Sequence, residues 1–105
     1  MYSSVLITYP DKLVAKMISR ELIDMRLAAC VNLFPIESAF RWEGGVMEES
    51  EVAAVYKIRT VDFTDLRSLV LRRHPYRVPC IVRYDIAEGY LPYMEWIRES
   101  TARLR

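Results

Sequence analysis

The chain is poor in residues that bend or staple a fold, with three glycines, five prolines, two cysteines and one histidine in 105 residues. Glycines placed only as Gly44-Gly45 and Gly89 cannot build a P-loop or a dinucleotide fingerprint, which need several at fixed spacing. Cys30 and Cys80, fifty positions apart, exclude a disulfide framework and lack the close pairing of a zinc site. Their settings, Ala28-Ala29-Cys30-Val31 and Cys80-Ile81-Val82, read as core strand with reduced, buried thiols in a cytoplasmic protein. The other use is soft-metal ligation, if the fold brings the two together or toward His74. No run approaches the roughly 18 apolar residues of a membrane span. Met1-Tyr2-Ser3-Ser4 also lacks the basic start of a signal peptide, so no membrane role is expected. Charge of one sign is missing too, since fifteen basic residues against fourteen acidic ones leave +1. Twelve of those bases are arginines, scattered in no run longer than Arg72-Arg73. That spread excludes the basic footprint of a nucleic-acid binder.

What is present is apolar residue, 52% of the chain, at regular spacing. The length and the unbroken patterning predict one domain over residues 1–105. Ser3 to Tyr9 reads as a mostly buried strand. Pro10-Asp11 marks the start of a helix running from about Asp11 to Arg26, with Val14, Ile18, Leu22 and Met25 on one face. Ala28 to Ile36 turns to strand composition, with a bulge expected at Pro35 because proline cannot donate to a ladder. Ser38 to Glu43 continues it, and Gly44-Gly45 signals a tight hairpin turn. The return strand, Glu51 to Thr60, alternates Val52, Ala54, Tyr56 and Ile58 with Ala53, Val55, Lys57 and Arg59. Asp62 or Thr64 caps a second helix carrying Phe63, Leu66 and Val70, and His74-Pro75 ends it. Val78 to Ile86 forms a last strand, and a final helix from near Gly89 supplies Tyr93, Met94, Trp96, Ile97 and Leu104. The order β-α-β-β-α-β predicts an α+β, ferredoxin-like sandwich with a long central hairpin and an extra C-terminal helix. Hairpin arms exceeding ten residues leave open edges, for which a closed homo-oligomer is the natural cover. Phe34, Phe40 and Trp42 then belong either to such an interface or to the chain's own core.

Candidate chemistry is sparse. His74 is either a metal ligand or general base, or a helix C-terminal residue bonded to the last carbonyls. A Ser-His-Asp or Cys-His system would need that same imidazole, and no nucleophile elbow accompanies it. Glu48-Glu49-Ser50-Glu51 offers oxygen ligands of the kind hard cations prefer, but without an EF-hand pattern it reads rather as a solvated strand entry, since charge runs usually face water. Lys57, on an otherwise apolar strand, either snorkels past the edge or meets a carboxylate or a bound anion. An acylphosphatase on this fold would need an arginine in the loop after the first strand, and Thr8-Tyr9-Pro10-Asp11 has none.

From Leu27-Ala28-Ala29-Cys30-Val31-Asn32 onward, the chain resembles the CutA divalent-cation tolerance family. Trp42-Glu43-Gly44, Glu51-Val52 through Tyr56-Lys57, His74-Pro75-Tyr76-x-x-Pro79 and Tyr93-Met94-x-Trp96-Ile97 follow in the family's order and spacing. The resemblance runs from Thr8-x-Pro10-Asp11 to the last helix. It implies a ferredoxin-like homotrimer with an extra C-terminal helix, no established catalysis, and a role in tolerance to copper and other divalent metals. It also implies likeness to the trimeric PII signalling proteins, so a PII-like small-ligand-binding module is the alternative function. Family members for which copper ligation was suggested carry a cysteine and two adjacent histidines where this chain has Ile7 and Arg73-His74. His74 is thus the one metal ligand retained, for Cu²⁺ or another divalent cation, and no cofactor is required. The expected ligand site is an intersubunit cleft beneath the hairpin, with Asn32, Trp42, Glu51, Lys57, His74 and Tyr76. There Lys57 would hold a small anion and His74 a metal or hydrogen-bonding group.

Overall fold

The computed structural model of the chain describes residues 1–103, so Leu104, expected on the last helix, lies outside the described residues. The elements run β1 (Tyr2–Tyr9), α1 (Lys12–Asp24), β2 (Cys30–Trp42), β3 (Gly45–Arg59), α2 (Phe63–Arg73), β4 (Ile81–Asp85) and α3 (Leu91–Ser100), with a 3₁₀ turn at Thr60–Asp62 before α2. The four strands form one antiparallel sheet in the order β2-β3-β1-β4. This is the ferredoxin-like sandwich that the order of elements predicts.

Strand period decides which face is covered. Val5, Ile7 and Tyr9 of β1 lie opposite Tyr56, Ala54 and Val52 of β3. Their side chains point toward α1 and α2, which supply Ala15, Ile18, Leu22, Leu66, Leu69 and Val70 to the same core. Full burial of each large aliphatic chain there contributes about 2 kcal/mol. Asp11 caps α1 by accepting the Val14 N–H at 2.9 Å. Met25, expected on the apolar face, is exposed instead, because the helix stops at Asp24 and Arg26 takes φ 58 to turn the chain away. A buried polar chain crosses the core, the Tyr56 hydroxyl meeting those of Tyr9 and Ser19 at 2.7 Å each.

Further sequence expectations shift, one of them the return strand, which begins at Gly45 and not at Glu51. Pro35 makes no bulge: the β2–β3 register is unbroken from Cys30↔Lys57 to Trp42↔Gly45, because β2 is an outer strand where a residue without N–H can face the open edge. The hairpin turn is Glu43-Gly44, one residue early, with φ of 48 and 82, the left-handed pair a primed turn needs. The last strand is shorter than Val78–Ile86, because residues 75–80 are drawn off the ladder toward the hairpin. Asp62 does precede α2, but its side chain makes no cap. Its carboxylate, 2% exposed, instead meets Arg103 at 2.6 Å and Arg59 at 3.4 Å.

Candidate functional site

β1 stops pairing with β3 at Tyr9↔Val52, so Glu51 and everything toward the turn project past the body of the sheet. The segment after α2 folds against this projection and is fixed by four groups in series. His74 donates from Nε2 to the Thr8 carbonyl at 2.8 Å and accepts the Tyr76 N–H on Nδ1 at 3.1 Å. Its ring lies against Tyr9, 5.0 Å between centroids and 14° from parallel, and 4.8 Å from Tyr76. The Tyr76 hydroxyl then donates to Glu51 Oε2 at 2.6 Å. Between this segment and the hairpin lies a groove of about 830 Å³, whose walls include Phe40, Trp42, Met47, Glu49, Glu51 and Arg77. The Arg77 guanidinium sits 5.1 Å from the Trp42 ring centre.

The local sequence explains the arrangement. Along β3, Met47, Glu49 and Glu51 fall on one face by the period of two, and Phe40 and Trp42 join them from β2 through the pairs Phe40↔Met47 and Trp42↔Gly45. The carboxylate run is therefore not uniformly solvated: Glu48 and Glu49 are exposed, while Glu51 is buried at the groove's base. Burial pushes the Tyr76 hydroxyl well above its ordinary range, with Glu51 reinforcing the effect. The Cys80 thiol is raised as well, its sulfur partly sheltered and facing the Glu51 charge although the residue as a whole is exposed, which leaves it a poor thiolate at neutral pH. Burial lowers His74 against the weaker opposing pull of the Thr8 carbonyl and the Glu51 charge, so the ring is neutral near pH 7.

Of the six expected site residues, Trp42, Glu51 and Tyr76 line the groove and His74 stands directly behind Tyr76. Asn32 and Lys57 lie elsewhere on the sheet. Lys57 is six residues from Glu51 along β3, about 20 Å at strand rise. Asn32 pairs with Val55 and is exposed. Both belong to the sheet face away from α1 and α2, and Lys57 forms no ion pair within 4 Å among the described residues. The thiols are not core either: Cys30 is half-buried, 3.4 Å from the Tyr93 hydroxyl, and Cys80 is exposed beside the groove. Sequence reading missed Arg77, Met47 and Glu49. Glu49 and Met47 were legible as the i−2 and i−4 neighbours of Glu51, whereas nothing local marks Arg77.

Chemically, the site offers carboxylates, aromatic rings, one guanidinium and one imidazole. Its one imidazole has both nitrogens committed, and among the described residues no three His, Cys, Asp or Glu side chains converge as a metal ligand set. No described helix is long and apolar enough to cross a membrane.

Comparison with known proteins is consistent along nearly the whole chain. The family model described as CutA1 divalent ion tolerance protein matches residues 3–100. The divalent-cation tolerance protein CutA of Thermus thermophilus is 45% identical over 102 residues, which cover 96% of this chain and 99% of that protein. Human protein CutA is 38% identical over 94% of this chain, but only 56% of the human protein is spanned. The solved structure of the periplasmic divalent cation tolerance protein CutA from Archaeoglobus fulgidus superposes with a TM-score of 0.96 at 37% identity, covering 97% of this chain and all of that one. With the fold, the motif order and these matches in agreement, the chain belongs to the CutA1 divalent ion tolerance family.

Proposed function

We propose that the chain is a non-enzymatic, homotrimeric binding protein acting in tolerance to divalent metal ions, copper among them, and that its ligand site is the groove between the hairpin and residues 75–80. The observation that carries this reading is the Glu51–Tyr76 bond at 2.6 Å, which places a buried carboxylate at the base of a groove whose walls include the rings of Phe40, Trp42 and Tyr76. Trimerisation is supported by the sheet face that α1 and α2 leave open and α3 covers only in part, and by the free edge of β2, thirteen residues long. Phe34, Val82 and Tyr84 on that face are 40–54% exposed. A neighbouring subunit laid there closes the groove into a cleft and offers Lys57 a carboxylate or an anion to hold. Two free cysteines suit a reducing compartment and support a cytoplasmic location. The PII-like alternative uses the same groove and adds a downstream partner.

His74 acts in this reading as a brace. Binding Cu²⁺ there would break either the Thr8 or the Tyr76 hydrogen bond. Calorimetric titration of chelator-treated protein with Cu²⁺ and Zn²⁺, beside His74→Ala, separates the two roles. Weak uptake with the same affinity in the variant is expected. Tight uptake at a simple ratio, abolished in His74→Ala, would make His74 the metal site and overturn the brace.

A further inference from the structure

The groove's lining selects for a particular class of ligand, an inference that rests on the groove being the ligand site. Glu51 is only 8% exposed, yet just one of its oxygens has a partner: Oε2 takes the Tyr76 hydroxyl, and Oε1 accepts no hydrogen bond from any described residue. Oε1 is also not among the sealed, unpaired polar atoms of the interior, and Glu51 lines the groove. With most of the carboxylate buried and this one acceptor opening on the groove, Oε1 can take a donor that a ligand brings in place of water. Charge narrows the choice. The walls carry three carboxylates, Glu37, Glu49 and Glu51, against the one guanidinium of Arg77, which disfavours an anion. A bare metal ion is disfavoured as well, since no third ligand converges on these oxygens among the described residues.

The aromatic wall completes the set. Arg77 already lays a cation over Trp42, so the ring is oriented to receive positive charge from the groove side. Phe40, Met47 and Val78 offer apolar surface beside it. We propose that the groove binds an organic ammonium ion, whose N–H donates to Glu51 Oε1 and whose carbon body lies along Phe40, Met47 and Trp42 in place of Arg77.

The test is calorimetric titration of the assembled protein with 2-phenylethylammonium and its neutral counterpart 2-phenylethanol. The amine is expected to bind about tenfold more tightly than the alcohol or better. Glu51→Gln keeps an acceptor for Tyr76 and should remove that preference, while Glu49→Gln, at an exposed position, should reduce it less. Arg77→Gln removes the competing cation and should tighten the amine severalfold. Equal binding of both probes, with both lost in Trp42→Ala, would overturn the ammonium inference while leaving the groove as a binding site. Amine binding unaffected by Glu51→Gln and Trp42→Ala would overturn both. No uptake of the amine at millimolar concentration would overturn the ammonium inference.

Discussion

His74 has a hydrogen-bond acceptor's work to do at Nδ1, and an imidazolium cannot do it. Its pKa in the fold is below the ordinary 6.5, because burial penalises the charged ring. As pH falls past 6.5 the unfolded chain therefore takes up the proton first, and stability declines through that window. The decline should appear in thermal melts between pH 7 and 5 and flatten in His74→Gln; identical slopes in both proteins would contradict it. Asp62 behaves differently, as a buried carboxylate shared by Arg59 and Arg103 across the start of α2 and the chain's end. Asp62→Ala leaves both guanidiniums without their anion and should cost about 3 kcal/mol in urea denaturation. At this scale the sequence was partly legible. His74, Tyr76, Glu51 and Trp42 stood out through rarity or motif, but the burial of Asp62 and the place of Arg77 depend on contacts far along the chain.

The hairpin is the element that makes the site, and its turn sets the register of both arms. Gly44 sits at φ 82, so Gly44→Ala should cost about 1 kcal/mol. Gly45 is already in β3, where an added methyl would meet only the Trp42 carbonyl, at 4.0 Å. Gly45→Ala should accordingly leave the melting temperature unchanged or slightly raised, and equal losses in the two variants would refute the Glu43-Gly44 turn. Glu43, at φ 48, occupies a position that asparagine tolerates better, and Glu43→Asn should stabilise by about 0.5 kcal/mol in the same melts. Sequence period was enough to place β1, α1 and α2 within a few residues, and β3 at its end but not at its start, which lies at Gly45 rather than Glu51. It failed at β4, where Pro79 and the Tyr76–Glu51 tie hold residues 75–80 off the sheet, and at Pro35, where only the strand order shows that the residue lies on an edge.

Across the whole molecule, helices cover one face of the sheet and leave much of the other to solvent. The hairpin stretches the body to 45 × 27 × 20 Å. α3 shields part of that second face, where Tyr93 reaches Cys30 and stacks 5.5 Å from Trp96, yet Tyr93 and Trp96 are themselves 37% and 42% exposed. An apolar face of this kind beside a free thirteen-residue edge is what a second and third copy would cover. Phe34→Asp, placing a charge there, should yield smaller species, whereas an unchanged assembly that melts earlier would assign Phe34 to the chain's own packing. The most direct measurement is the mass of the wild-type protein in solution by light scattering. Three copies of the 12.4 kDa chain predict about 37 kDa, held on dilution. A mass of 12.4 kDa would contradict the account, because the groove would then have no neighbouring subunit to close it.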